Sequence, residues 1–297
     1  MIEIRGLCKS FDGFQALTDI NINVPAASVY GIVGPNGSGK TTLIKHMTGI
    51  LIPDQGTIKI KGEEVFDNPA VKSRVAYVPD DIYFFSQANM KDMVRFYQQV
   101  YPDFNQERLE TLLPVFPIEE KMSIRRFSRG MKKHVAFMLA LSMMPEVMIL
   151  DEPMDGLDPI ARRKVWSLIF QDVSERRSTI FVSSHNLREL EDVCDHVGIL
   201  HQGKVVLERS LDEMQSNIFK LQMAFSGQVP ALTGLDILSE QQTGSVIQLV
   251  VRGNRDEIIN RATRFDPLMV DVLPLSLEEI FIHELGGLDY AVNSTII

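Results

Sequence analysis

Along the first sixty residues the apolar positions fall in short runs separated by turns, as in "MIEIRGL", "INVPAASVYGIV" and "GTIKIKG". Alternation of apolar and polar residues predicts half-buried strands. The unbroken run "VYGIV" at Val29–Val33 predicts a strand buried on both faces, as in a parallel sheet. From residue 81 to about 145 the period lengthens: Met90, Met93, Val94, Tyr97 and Tyr101 recur at three- and four-residue steps, which predicts helix. Unbroken apolar runs return in "EVMILDEP", "STIFVSSH" and "HVGILHQGK", with a helical stretch around residues 165–173 between the first two. Strand and helix in alternation predict a parallel α/β core that carries a helical insertion.

After about residue 217 the pattern changes again. "FKLQMAF" puts Phe219, Leu221, Met223 and Phe225 on one face, and "VIQLVVR" and "LMVDVLPL" read as further strands. "DEIINRATRF" has helical spacing, and "SLEE" at 276–279 is a capping box that opens a last helix. The expected organisation is a main domain over 1–216, with its helical insertion at about 81–145, followed by a small α+β domain over 217–297 that carries no chemical motif.

The chemistry begins at "GPNGSGKTT", residues 34–42, which fits G-x-x-x-x-G-K-[ST]. The strand "VYGIV" precedes it. "LIKHMTGI", with Leu43, Ile44 and Met47 at helical spacing and Gly49 as a stop, follows it. In that setting Gly34, Pro35, Asn36, Gly37, Ser38 and Gly39 form a loop whose backbone N–H groups can face an anion, at the positive end of a helix. Lys40 is placed for the β- and γ-phosphates and Thr41 for Mg²⁺, with Thr42 beside them. A ligand-free glycine and serine turn is the plainer reading; the strand, loop and helix in order favour the phosphate cradle. "VMILDEP" adds Asp151 at the end of an apolar strand, where α/β folds gather ligands, and Glu152 next to it. Asp151 suits Mg²⁺ or its water shell, and Glu152 suits the orientation or deprotonation of a water. In isolation, such a pair would read as an exposed acidic turn.

Composition narrows the partners. The chain has 297 residues, 45% hydrophobic and 23% charged, with net charge −9 and pI near 5.2, so no basic field favours direct nucleic-acid binding. Cys8 and Cys194 are far apart and form no metal-like spacing, which reads as free thiols in a reducing cytosol. The longest apolar stretch, "VAFMLALSMMP", is too short to span a bilayer, and "MIEIRGL" carries no signal-peptide pattern. Work at a membrane would therefore need a span from another chain.

The order "GPNGSGKTT", "YVPDD", "FSRGM", "VMILDEP", "DGLD", "SSH" resembles the ATP-binding subunits of ABC transporters over nearly all of residues 2–217. The resemblance implies a P-loop ABC-type ATPase core with antiparallel β and helical subdomains, ahead of the C-terminal domain. It implies that Ser128 and Gly130 of "FSRGM" face the γ-phosphate of ATP held by a second subunit, identical or homologous, in an ATP-sandwich dimer. Ser128 can also cap a helix starting near Met131. By the same resemblance Asp158 lies at the dimer seam, His185 contacts the γ-phosphate and Phe11 stacks on adenine; a packing role is the alternative for Phe11. Integral membrane permease subunits are the implied partners, with "DIYFF" at 81–85 near their docking groove. The ATPase would then lie in the cytoplasm, against the inner face of the membrane.

Three positions depart from the family pattern. Asp80 stands where glutamine is usual, and Arg129 and Met131 stand where glycine and glutamine are usual. Asp80 can engage Mg²⁺ or its water shell but loses an amide's donor. Such variants look like those of drug- or peptide-export ATPases, which often carry an extra C-terminal domain. The leading expectation is an ATP-hydrolysing export subunit using ATP and Mg²⁺. A regulatory nucleotide-binding module with low turnover and a soluble, non-transport ATPase are the alternatives.

Overall fold

A hairpin opens the chain: β1 (Ile2–Phe11) and β2 (Phe14–Val24) pair antiparallel around Asp12 and Gly13, both at positive φ. That two-residue turn matches the right-handed twist of its strands, and it sets Phe11 opposite Phe14. Next come β3 (Val29–Val33), α1 (Lys40–Met47), β4 (Gln55–Ile60), β5 (Glu63–Glu64), α2 (Pro69–Lys72) and β6 (Val75–Val78). The strands β2-β1-β4-β5 form one antiparallel sheet. Its apolar face, with Ile2, Ile4, Leu7, Leu17 and Ile20, shares a core with Leu43, Ile44 and Met47 of α1. The computed structural model describes residues 1–213, 218–227, 229–273 and 275–280.

The helical insertion holds α3 (Met90–Val100), α4 (Gln106–Leu112), a short 3₁₀ turn and α5 (Arg129–Ser142). Asn89 and Asp92 cap α3 reciprocally, each side chain accepting from the other's backbone N–H at 3.1 Å. The stretch "VAFMLALS" is the buried length of α5, from Val135 to Ser142. Among the described residues, no helix is long and apolar enough to cross a membrane. Before α3, Tyr83 is 85% exposed and Phe85 is also exposed, whereas Phe84 is half-buried.

After the insertion come β7 (Val147–Asp151), α6 (Pro159–Arg176), β8 (Thr179–Ser184), α7 (Arg188–Glu191), β9 (His196–His201) and β10 (Lys204–Ser210). The second sheet has the order β10-β9-β3-β8-β7-β6, with parallel pairing from β9 through β6. Every residue of β3, β7 and β8 is buried, which explains why their sequences are apolar runs and not alternations. Each fully buried Ile, Val or Leu in them contributes roughly 1.5–3 kcal/mol. The register aligns Val33 with Ser184 and Asp151 with Ser183, so three strands end together.

The chain divides into two units: Met1–His185 with Val193–Glu208, and Asn186–Asp192 with the described residues from Arg209 onward. The second contains β11 (Ile218–Ala224), β12 (Asp236–Thr243), β13 (Val246–Arg252), α8 (Arg255–Thr263) and β14 (Met269–Leu273), with sheet order β12-β13-β11-β14. Leu221, Met223 and Phe225 pack with Ile247, Leu249, Val251 and Ile258, the face that their alternation predicts. β12 has no apolar alternation because it is a largely exposed edge strand. The Ser276–Glu279 capping box forms, with Glu279 N–H donating to Ser276 Oγ at 3.2 Å and Ser276 N–H donating to Glu279 at 3.0 Å. The rest of the helix expected there, and the domain boundary expected at 216/217, lie outside the described residues.

One ion cluster ties the insertion to the core. Asp172 of α6 is 1% exposed and lies 3.0 Å from Arg108 of α4 and 3.3 Å from Arg176. Removing the acid leaves two guanidinium groups facing each other, although both keep some solvent contact, which reduces the cost. Asp172→Ala should therefore lower unfolding stability by about 1–3 kcal/mol, read as a shift in urea midpoint. An unchanged midpoint would show that the cluster is not a structural tie.

Candidate active site

The loop after β3 is shaped by its glycines. A Cβ on Gly34 would sit 2.2 Å from the Leu200 carbonyl oxygen, and Gly39 has φ 110° with Leu17 and the Ala16 carbonyl about it. Only glycine fits either position. The loop delivers α1 with its N-terminus open, since Gly39 offers no capping side chain. Ser38 is buried, yet its Oγ has no hydrogen-bond partner. A buried hydroxyl without a partner inside a ring of backbone amides is a donor set that fits an anionic group. A cavity of about 230 Å³ opens there, lined by Phe14, Ala16, Asn36, Gly37, Gly39, Lys40, Thr41, Thr42, Asp80 and Glu152.

At the ends of β7 and β8 the acidic pair is held by one serine. Ser183 Oγ donates to Asp151 Oδ1 at 2.6 Å and accepts from the Glu152 N–H at 3.0 Å. Thr41 also hydrogen-bonds Asp151. Burial pushes the Asp151 carboxyl above the usual carboxylate range, while the Ser183 and Thr41 hydrogen bonds pull it back and the Glu152 charge pushes it further up. Hydroxyl and carboxylate oxygens brought together in this way are hard ligands, the type that suits Mg²⁺.

Glu152 is the centre of the arrangement. Its Oε1 lies 3.2 Å from Lys40 Nζ and its Oε2 lies 2.9 Å from His185 Nδ1. Because an ionised carboxylate can only accept, the second contact puts the hydrogen on Nδ1. Lys40 also donates to Gly34 O at 2.7 Å, and the His185 N–H donates to Glu152 Oε2 at 3.2 Å. Lys40 is 6% exposed and Glu152 11%, so this pair meets with little solvent screening. Asp155 stands beside them: Glu152, Asp155 and His185 offer ligand atoms within 4.8 Å of one another. The carboxylate thus lies between a cation and an imidazole.

The structure brings together Lys40, Thr41, Asp151, Glu152 and His185, and sets Asp80 in the same cavity wall. Asp80 meets protein cations there, with Arg129 Nη2 at 2.5 Å and Lys133 Nζ at 3.7 Å, so its charge is offset without a metal. Ser128, Gly130 and Asp158 are not among the residues that line this cavity. Ser128 Oγ accepts from the Met131 N–H at 3.2 Å and caps α5, which begins at Arg129, two residues before the expected start. Asp158 is exposed and caps α6 by accepting from Ile160 and Ala161. Phe11 is not in the lining either; its ring lies under Lys9 Nζ at 5.4 Å, and the aromatic of the cavity is Phe14. The two rings flank one turn, so motif order alone does not tell which of them faces the site.

The motif reading passed over Phe14, Lys133, Asp155 and the separate role of Ser183. Of these, Asp155 and Ser183 had a signal, Asp155 as the first residue of "DGLD" and Ser183 as the polar end of the apolar run "STIFVSS".

The chain is similar to known proteins over most of its length. The ABC transporter family pattern matches residues 17–155. The chain is 32% identical to the ABC transporter ATP-binding protein YtrB of Bacillus subtilis (strain 168), over 97% of this chain and 99% of that one. It is 30% identical to the bacitracin transport ATP-binding protein BcrA of Bacillus licheniformis, over 97% and 98%. A solved ATP-binding subunit of an ABC transporter matches with TM-score 0.68 at 27% identity, over 72% of this chain and 92% of that one. A dimeric ATP-binding cassette bound to ADP and Pi shares the fold, with TM-score 0.65 at 20% identity over 71% and 99%.

Ser183 carries a prediction of its own. Ser183→Ala removes a donor from Asp151 and the acceptor of the Glu152 N–H in a region with almost no water. Stability should fall by about 1–3 kcal/mol, read by urea unfolding of the nucleotide-free protein. No loss would mean that the strand end holds both acids without it.

Proposed function

The chain belongs to the ATP-binding protein family of ABC transporters, an ATP-hydrolysing family, and on that premise we propose that it powers transport through separate membrane subunits. Two such chains would enclose ATP between the cavity of one and the α5 N-terminus of the other. The observation that carries the reading is the Glu152 carboxylate set between Lys40 and His185 at the mouth of the phosphate loop.

In this reading the N–H groups of residues 36–42 and the α1 N-terminus bind the triphosphate, and Lys40 leaves Glu152 for the β- and γ-phosphates. Freed from that ion pair, Glu152 orients and deprotonates the attacking water, while His185 holds the γ-phosphate. Thr41 and Asp151 would hold Mg²⁺, which supplies charge neutralisation to the phosphates. Ser128 and Gly130 face the ATP of the second subunit, because the α5 N-terminus can present amides to an anion. Asp158 sits at the seam between the two. The aromatic against the adenine is Phe14, which lines the cavity, with Phe11 next to it. ATP closes the pair and hydrolysis reopens it, a ligand-driven population shift.

Export of a peptide or drug-like cargo is the favoured direction, since relatives include bacitracin and lantibiotic transport ATP-binding proteins. The second unit acts as an accessory domain, and the ATPase works at the cytoplasmic face through its permease.

Glu152→Gln keeps size and most hydrogen bonds but makes a poor base. Turnover of Mg²⁺-ATP should fall by at least about 10²-fold while ATP still binds, and an ATP-dependent dimer should accumulate on size exclusion. Wild-type turnover in this variant would remove Glu152 from the role of base.

The exposed rings before α3 give a second test. Tyr83 and Phe85 offer apolar area at low conformational cost, as interface anchors do. Replacing both with alanine should weaken capture of the chain by its permease while basal hydrolysis stays within about twofold of wild type. Unchanged capture would place docking elsewhere.

A further inference from the structure

Two of the departures from the family pattern are of opposite charge, and they meet. Arg129 Nη2 reaches Asp80 Oδ1 at 2.5 Å. Its stem crosses Gly156, where an added Cβ would sit 3.4 Å from Arg129 Cδ and 3.6 Å from Cγ. One turn further along α5, Lys133 is fully buried, with Nζ 3.7 Å from the same Asp80 oxygen. That ammonium donates to the backbone oxygen of Glu152 at 2.6 Å. Glu152 has φ 45°, a left-handed conformation that costs a glutamate energy and persists only when its surroundings hold it. Three hydrogen bonds hold the Glu152 backbone: Ser183 Oγ accepts from its N–H at 3.0 Å, and its carbonyl accepts from Lys133 Nζ at 2.6 Å and from the Asp155 N–H at 3.3 Å.

A cation without solvent needs a counter-charge. Burial favours the neutral amine of Lys133, and Arg129 adds repulsion, while Asp80 and Asp155 favour the ammonium. A glutamine at position 80 would leave Arg129 and Lys133 side by side without that carboxylate. Asp80 and the two cations therefore make one unit, and its inner end is the Glu152 peptide.

We propose that Lys133 is a positioning residue for ATP hydrolysis: paired with Asp80, it donates to the Glu152 carbonyl and fixes that backbone so that the carboxylate points at the γ-phosphate site. The inference rests on the reading of Glu152 as the residue that orients the water. It also gives the Asp80 substitution a role inside the chain, in which the acid supports a lysine on α5.

The test uses the full-length chain with Mg²⁺-ATP, steady-state turnover and ATP affinity from a fluorescent nucleotide. Lys133→Met should lower kcat by about tenfold or more and leave KM for ATP within about twofold. Lys133→Gln, which can still donate to the Glu152 carbonyl, should recover part of kcat. Adding Asp80→Asn to Lys133→Met should cost little more, because both act through one path. If Lys133→Met does not fold, Asp80→Asn decides alone, with loss of kcat at unchanged KM supporting the proposal and wild-type kcat overturning it. A folded Lys133→Met with wild-type kcat, a matching rise in KM, or glutamine no better than methionine would each overturn it. Glu152→Gln run beside these separates the two readings. Full turnover there removes the Glu152 role and this proposal with it, whereas loss there with wild-type Lys133→Met removes this proposal alone.

Discussion

Asp151 is a carboxylate 1% exposed at the end of a core strand, and the need to satisfy it without water organises its surroundings. An acid in that position needs donors from protein. Ser183 supplies one from the adjacent strand and Thr41 another from the start of α1, so the acid draws three elements to one point. The same serine then accepts from the Glu152 N–H. Satisfying the buried acid and orienting its neighbour are thus one piece of geometry.

From that point the charges alternate outward. Glu152 meets Lys40 on one oxygen and His185 on the other, and its carbonyl meets Lys133, whose counter-ion is Asp80, shared with Arg129. In such a chain each group is held by opposite charge on its neighbours, and introducing a further anion must rearrange it. On the proposed reading a triphosphate would do that: it would compete with Glu152 for Lys40, and the competition would couple nucleotide binding to the freedom of the Glu152 carboxylate. Little solvent reaches Lys40 and Glu152, so the exchange occurs where electrostatic interactions are strong.

The two outer motifs, around Ser128 and Asp158, are satisfied locally as helix caps. A capping side chain bonds the first N–H groups of its own helix, and it leaves the remaining end amides and the helix dipole facing outward. The local role and a role toward a second chain are therefore compatible.

Much of this was legible along the chain. The unbroken runs at Val29–Val33, Val147–Asp151 and Thr179–Ser184 read as strands buried on both faces, and burial on both faces is what the structure shows. The phosphate loop, Asp151 and Glu152 were readable because their chemistry needs fixed residue types at fixed local spacing. The edge strand β12 and the four-residue β6 were not, since one has little buried face and the other is too short to show a period. Contacts across long sequence separations were beyond reach for a different reason. Lys133 lies on α5 just before its apolar length, where the local pattern does not mark a lysine as buried, and its burial against the carbonyl of Glu152 depends on how the insertion packs on the core. Whether Phe11 or Phe14 faces the cavity turned on the hairpin's orientation, which neither residue specifies. The pairing of Asp80 with Arg129 required 49 residues of chain to fold back, and so two isolated departures in the sequence became one ion pair only in three dimensions.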